Sequence, residues 1–208
     1  MNRETQAMNT VLIPAERFPR WVENFGSRHG ETTVHVIEGA LQGQAADGST
    51  FRARLPFAVP YDGVPDADGL VAAVTSPADW GVLLVRKGGF ALARIQGSLV
   101  VDSKVGQRHV QGRTKAGGQS QQRFARRRDN QARQAFEAAA DHAARILAAV
   151  PLVVVGGDRG AVEEVLADQR LAGIHVVSPW LPVPDPRRAV LSGAIADAQA
   201  IVIEVTNT

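Results

Sequence analysis

Cysteine is absent from the 208 residues, which removes disulfides, thiolate zinc sites and a cysteine nucleophile from consideration. Histidine is sparse and scattered: His29, His35, His109, His142 and His175 form no pair at helical or strand spacing. No metal or other cofactor is therefore expected. Long apolar runs are missing too. The VLIPA run at residues 11–15 is too short for a signal-peptide core, and no later segment approaches the ~20 apolar residues of a membrane span. The expectation is a cytoplasmic protein with no membrane partner. Lysine is scarce, 3 residues against 20 arginines, and alanine is abundant, a bias that a GC-rich genome produces, so arginine content alone identifies nothing.

Hydrophobic residues make up 45% of the chain, enough for one sizeable core or for a core with a small appended unit. Charge placement says more than charge total. Between Lys104 and Arg133 stand nine basic residues against one acid, Asp129, a local balance of +8; the chain totals +2, so the remainder sums to −6. A mildly acidic body with one concentrated positive segment is the footprint of polyanion binding, in which phosphate contacts supply much of the affinity.

Along the chain, Phe18, Trp21, Val22 and Phe25 fall at helical spacing between Pro14 and Gly26 or Gly30, predicting an amphipathic first helix. Residues 31–59 alternate as two strands around the turn-rich LQGQAADGST and predict a hairpin. The Pro/Asp/Gly-dense VPYDGVPDADG reads as a linker, placing a boundary near Gly63 between an N-terminal helix-and-hairpin extension (1–63) and a second domain (64–208). Glycine-punctuated β-rich runs from Trp80 to Gly112 predict an antiparallel meander of three or four strands. A helix of about 40 Å follows, from about Gln122 to Val150, its stripe set by Ala132, Ala135, Phe136, Ala139, Ala143, Ile146 and Leu147. Strands PLVVVGG, GIHVVS and IVIEV then alternate with helices. The fold class is α/β: a meander followed by αβαβαβ, in one mixed sheet flanked by helices.

Between meander and helix lies KAGGQSQQRFARRRDNQ, Lys115 to Gln131. Helix starts carry partial positive charge and favour Asp or Glu, yet Arg123, Arg126, Arg127 and Arg128 stand here. That costs roughly a few tenths to 1 kcal/mol per charge unless an external anion offsets it. Gly112, Gly117 and Gly118 surround Arg113, Lys115 and Gln119, so the tip can approach another backbone closely. By residue chemistry alone the run is either a solvated basic face or an RNA-facing one, and Gly-Gly-Gln either a plain turn or a mobile loop presenting Gln119. Gly156-Gly157-Asp158 reads as a βα turn in preference to a phosphate loop, since no Walker lysine follows. His175 is expected to be a hydrogen-bonded structural residue, Trp180 to pack a loop, and Phe124 to anchor the helix start.

Gly117, Gly118, Gln119 and Ser120, followed in register by Arg123, Phe124, Ala125, Arg126 and Arg128, resemble the middle domain of eukaryotic and archaeal class 1 translation release factors. The similarity in organisation runs from about Asp66 through the later αβαβ portion and implies an RNase H-like fold there. The chain has no room for codon-reading and partner-factor domains of ordinary size. As a release-factor-like domain with an N-terminal extension, it is most similar to the actinobacterial branch of release-factor-like peptidyl-tRNA hydrolases. That resemblance implies Gln119, Gly118 and Gly117 as catalytic residues, and Arg113, Lys115, Arg123, Arg126, Arg127 and Arg128 as contacts to RNA. The implied partners are peptidyl-tRNA, ribosomal RNA and the large (50S) ribosomal subunit, with no DNA. A nuclease acting near the tRNA 3′ end and a non-catalytic ribosome-binding or RNA-binding adaptor are the alternatives.

Overall fold

The structure, a computed structural model, describes the backbone of residues 9–107 and 119–208 and the side chains of residues 9–106 and 133–208. The chain forms two units, Met1–Ser76 with Ala196–Thr208, and Pro77–Ile195. The division thus falls thirteen residues beyond Gly63, and the C-terminal strand returns to the first unit. The segment read as a linker is instead part of a core. Tyr61 is buried with its hydroxyl donating to the Val64 carbonyl at 2.5 Å. Leu70, in helix α2 (Ala67–Ala72), is buried in the same cluster.

The first unit is a five-stranded antiparallel sheet. Its strands are β1 (Asn9–Ile13), β2 (Thr32–Ile37), β3 (Ala40–Ala45), β4 (Thr50–Arg54) and β10 (Ile201–Thr206), in the order β1-β10-β4-β3-β2. The predicted hairpin is therefore three strands, because the stretch taken as a turn is β3. Glu38 (φ 49°) and Gly39 (φ 70°) close a two-residue turn, the conformation that matches strand twist. Within β3, Leu41, Gly43 and Ala45 point inward by strand alternation. Gly43 has no side chain because Phe51 fills its place: a Cβ there would lie 2.1 Å from the Phe51 ring. Helix α1 (Phe18–His29) buries Phe18 and Phe25, clustered with Leu41, Phe51, Ile201 and Ile203, and Trp21 meets Phe51 edge to face at 5.2 Å.

The second unit holds the mixed sheet. Strands β5 (Asp79–Arg86), β6 (Gly89–Gln96) and β7 (Leu99–Gln107) form the antiparallel meander, and β8 (Leu152–Gly157) and β9 (His175–Leu181) add in parallel beside β5. The order is β7-β6-β5-β8-β9, as expected of an RNase H-like sheet. Central β5 is buried on both faces from Trp80 to Val85, which explains its nearly continuous apolar run. Helices α3 (Gln119–Leu147) and α4 (Arg159–Leu166) pack together and onto the sheet, α3 against β5, β6 and β7, and α4 against β5 and β8. Helix α5 (Arg188–Ala198) leads into β10. The expected final αβ pair therefore does not complete this sheet. Its strand pairs with β1 and β4 in the other one, since an alternating IVIEV carries no mark of which sheet it joins.

Candidate functional site

Helix α3 carries the candidate residues. Gln119 is its first residue. The first turn contains no acid, and its amides have no partner within the helix. Arg123, Arg126, Arg127 and Arg128 come after that turn, because the helix starts about three residues earlier than the sequence suggests. Gly117, Gly118, Arg113 and Lys115 lie outside the described residues, as do the side chains of Gln119, Phe124 and the four helical arginines.

The stripe read from the sequence is what seats the helix. Ala135, Phe136, Ala139, Ala143, Ile146 and Leu147 are all buried, and from Phe136 on they cluster with Leu83, Val85, Phe90, Leu92, Val153 and Val155 on the sheet. Gln119 lies about 24 Å along the axis from Ala135, at 1.5 Å per residue. A rigid helix anchored through its C-terminal half can therefore hold its N-terminus at a set distance from the sheet.

Two polar braces reinforce the seat. Arg145 on α3 donates to Asp102 on β7 at 2.8 Å. Arg170, after α4, reaches back to Asp141 on α3 at 2.8 Å while also binding Asp168 at 2.7 Å. Hydrogen bonds from Arg170, through its side chain and its backbone N–H, hold the Asp168 carboxyl at about 2, below the ordinary 3.8. A depressed carboxylate stabilises the fold fully above its unfolded value, so this contribution is present above pH ~4 and fades as pH falls toward the folded value. Arg170→Ala is expected to raise the Asp168 titration midpoint, followed by carboxyl NMR, part of the way to the ordinary range, since the backbone N–H of residue 170 still donates to it; an unchanged midpoint would contradict the side-chain pairing. On the inward side of α3, burial, with Lys104 and Arg145 adding like charge, holds His142 below the usual histidine range. Its ring tilts against Phe90 at 5.7 Å.

Other residues singled out by the sequence have structural places. Gly157 (φ 101°) turns the chain from β8 into α4, and the Asp158 amide donates to the Val85 carbonyl at 2.8 Å while its carboxylate accepts from Ala161 at 3.4 Å. This is a βα turn built around a neighbouring strand. His175 begins the edge strand β9, as its strand reading expects, and is exposed there. Trp180 is also in β9 and not in a loop; it packs on the second unit's core with the Arg159 guanidinium 4.3 Å over its ring. Among the described residues no group of three His, Asp or Glu side chains converges as a metal site would require, and no helix is long and apolar enough to cross a membrane.

Residues 78–204, more than half of the chain, match the family described as the Actinobacteria/chloroflexi VLRF1 release factor. The match starts at the second residue of the second unit and runs into β10. Among solved structures, the crystal structure of Pelota from Archaeoglobus fulgidus is similar over 95% of this chain at 9% identity and a TM-score of 0.24, a likeness too slight to bear on fold or function. This chain spans 65% of that chain's length. No curated protein matches.

Proposed function

The chain belongs to the Actinobacteria/chloroflexi VLRF1 release-factor family, and from that premise we propose that it hydrolyses the ester joining a nascent peptide to the 3′ end of tRNA on stalled large ribosomal subunits. Family membership carries the coarser statement, a ribosome-related role in translation. The observation that supports the finer one is that the matched segment contains Gly117-Gly118-Gln119 leading directly into a 29-residue helix with no acid in its first turn.

The chemistry assigned to each residue follows from what it can do. Glutamine has no useful pKa and is no general base; its carboxamide both donates and accepts, which suits orienting a water against an ester. Amides at the start of a helix favour developing negative charge, so the position of Gln119 suits stabilising an ester oxyanion as well. Gly117 and Gly118 leave the approach open to another backbone. Arg113, Lys115, Arg123, Arg126, Arg127 and Arg128 contact phosphates of tRNA or ribosomal RNA. The peptidyl-transferase centre of the 50S subunit supplies the rest of the site, in the cytoplasm where translation occurs.

The test is release of labelled peptide from peptidyl-tRNA held on isolated large subunits. Time-dependent appearance of free peptide with the native protein is expected; an unchanged peptidyl-tRNA pool would overturn the proposal. A second expectation concerns binding. The double variant Arg126→Glu/Arg127→Glu removes two phosphate contacts, so the slope of log affinity against log salt should flatten by roughly 1.5. An unchanged slope would remove these two residues from the RNA contact.

A further inference from the structure

Strands β5 and β8 run parallel and end side by side, with Val85 opposite Gly157. Three loops meet at that end of the second unit: the β5–β6 turn, the turn from β8 into α4, and the segment between β9 and α5. Their contacts hold them together. A Cβ on Gly157 would lie 3.1 Å from Cγ of Arg86, so the Arg86 stem runs beside the β8–α4 turn. The Arg86 guanidinium donates to the Val183 carbonyl at 2.8 Å, which ties the segment after β9 to the β5–β6 turn. A Cβ on Gly88 would lie 3.7 Å from the Asp185 carboxylate on that same segment.

The charge gathered there is mostly positive. Residues 86–88, 157–160 and 182–188 carry five cations, Arg86, Lys87, Arg159, Arg187 and Arg188, against the carboxylates of Asp158 and Asp185. All five cations are exposed, and among the described residues none forms an ion pair. Elsewhere in the unit Arg94, Arg145 and Arg170 each hold a carboxylate. The Asp158 carboxylate is engaged by the Ala161 amide at the start of α4. Arg159 is held over the Trp180 ring, 4.3 Å from its centre, so its guanidinium is oriented before any ligand arrives. Helix α5 begins on Arg188 with no acid in its first turn, a placement that an external anion stabilises.

Helix α3 relates this surface to the basic segment already described. Its Leu147 packs where a Cβ on Gly81 would stand, near the start of β5, whereas the His142 ring faces Phe90, which pairs with Val85 at the other end of that strand. The helix therefore runs against β5, and its N-terminal half projects from the same end as the three loops. A carboxylate-rich protein would match these guanidinium groups too. Phosphate is favoured because the family acts in translation and because the segment holding arginines 123–128 leaves the unit on this side.

We propose that this end of the second unit is a second RNA-contacting surface, with Arg86, Lys87, Arg159, Arg187 and Arg188 on backbone phosphates of ribosomal RNA. The inference deepens the proposed function and rests on its ribosomal half, not on ester hydrolysis.

The experiment uses the full chain and co-sedimentation with isolated large subunits across a salt series. Lys87→Glu/Arg188→Glu reverses two exposed charges; glutamate is favoured in the first turn of a helix, and circular dichroism checks the fold. Affinity should fall about tenfold or more, and the slope of log affinity against log salt should flatten by roughly 1.5. Combined with Arg126→Glu/Arg127→Glu, the flattening should reach roughly 3, since distant contacts add. The milder Lys87→Gln/Arg188→Gln should flatten the slope as the reversal does. An unchanged slope in both double variants would overturn this surface while leaving the arginines of α3 in place; native protein that fails to sediment with the subunits would overturn the ribosomal reading itself. Repeating the series on protein-free RNA extracted from those subunits identifies the partner. The same loss is expected there, and its disappearance would assign the surface to an acidic ribosomal protein and refute the RNA contact.

Discussion

Gln119→Ala is expected to lower peptide release from 50S-bound peptidyl-tRNA by about 10²-fold or more while changing ribosome association by less than about twofold. Removing one preorganised polar group from a site where charge develops costs that much in well-studied acyl-transfer centres, because the group acts on the transition state and little on the bound ground state. The substitution is gentle elsewhere. Gln119 is the first residue of α3, and alanine is the best helix former, so the helix keeps its length. Among the described side chains, the residues that seat α3 begin at Ala135, about 24 Å away along the axis, so that packing is untouched. Single-turnover release and co-sedimentation with large subunits, on the same preparation, separate the two effects. Loss of both together would mean that Gln119 serves binding; retention of both would remove it from the chemistry.

Gly157→Ala should destabilise the second unit by roughly 2–4 kcal/mol and lower its Tm by about 10 °C. Gly157 has φ 101°, and a Cβ on it would lie 2.2 Å from the Val85 carbonyl oxygen. That oxygen belongs to the parallel β5–β8 pairing, in which Val85 stands opposite Gly157, and it accepts from the Asp158 amide at 2.8 Å. A methyl group therefore has no side chain to push aside: either the strand pairing opens or the cap of α4 is lost. Gly173→Ala is the control, since nothing lies within 4 Å of a Cβ there. Thermal unfolding followed by circular dichroism reads both, and a Gly157→Ala curve superimposed on the native one would contradict the geometry.

The contrast between these glycines shows what a sequence can and cannot convey. The stripe of α3 is legible because its period is local: Ala135, Phe136, Ala139, Ala143, Ile146 and Leu147 recur at three and four, and all are buried. The meander and the β8-α4-β9 crossover are legible for the same reason. What fails depends on partners distant in the chain. Strand β10 pairs with β1 and β4, roughly 190 and 150 residues earlier, and nothing in IVIEV names them. Strand β3 reads as a turn because its Gly43 and its glutamines lack β-propensity; its place is set by the Phe51 ring lying over Gly43 from the neighbouring strand. Tyr61 sits among prolines and aspartates that signal a linker, yet its burial and its bond to Val64 make that segment core.

The candidate residues follow the same line. Gly117-Gly118-Gln119 and the arginines behind them are contiguous, so a motif in register exposes them. The aromatic stripe of Phe18, Trp21 and Phe25 reads as core and is largely core.

The most direct measurement of the proposed chemistry is the state of the tRNA left after native protein has acted on 50S-bound peptidyl-tRNA, read by sequencing its 3′ terminus. Ester hydrolysis predicts free peptide together with a tRNA that ends in an intact CCA and can be recharged; peptide still attached to a shortened tRNA fragment would contradict it.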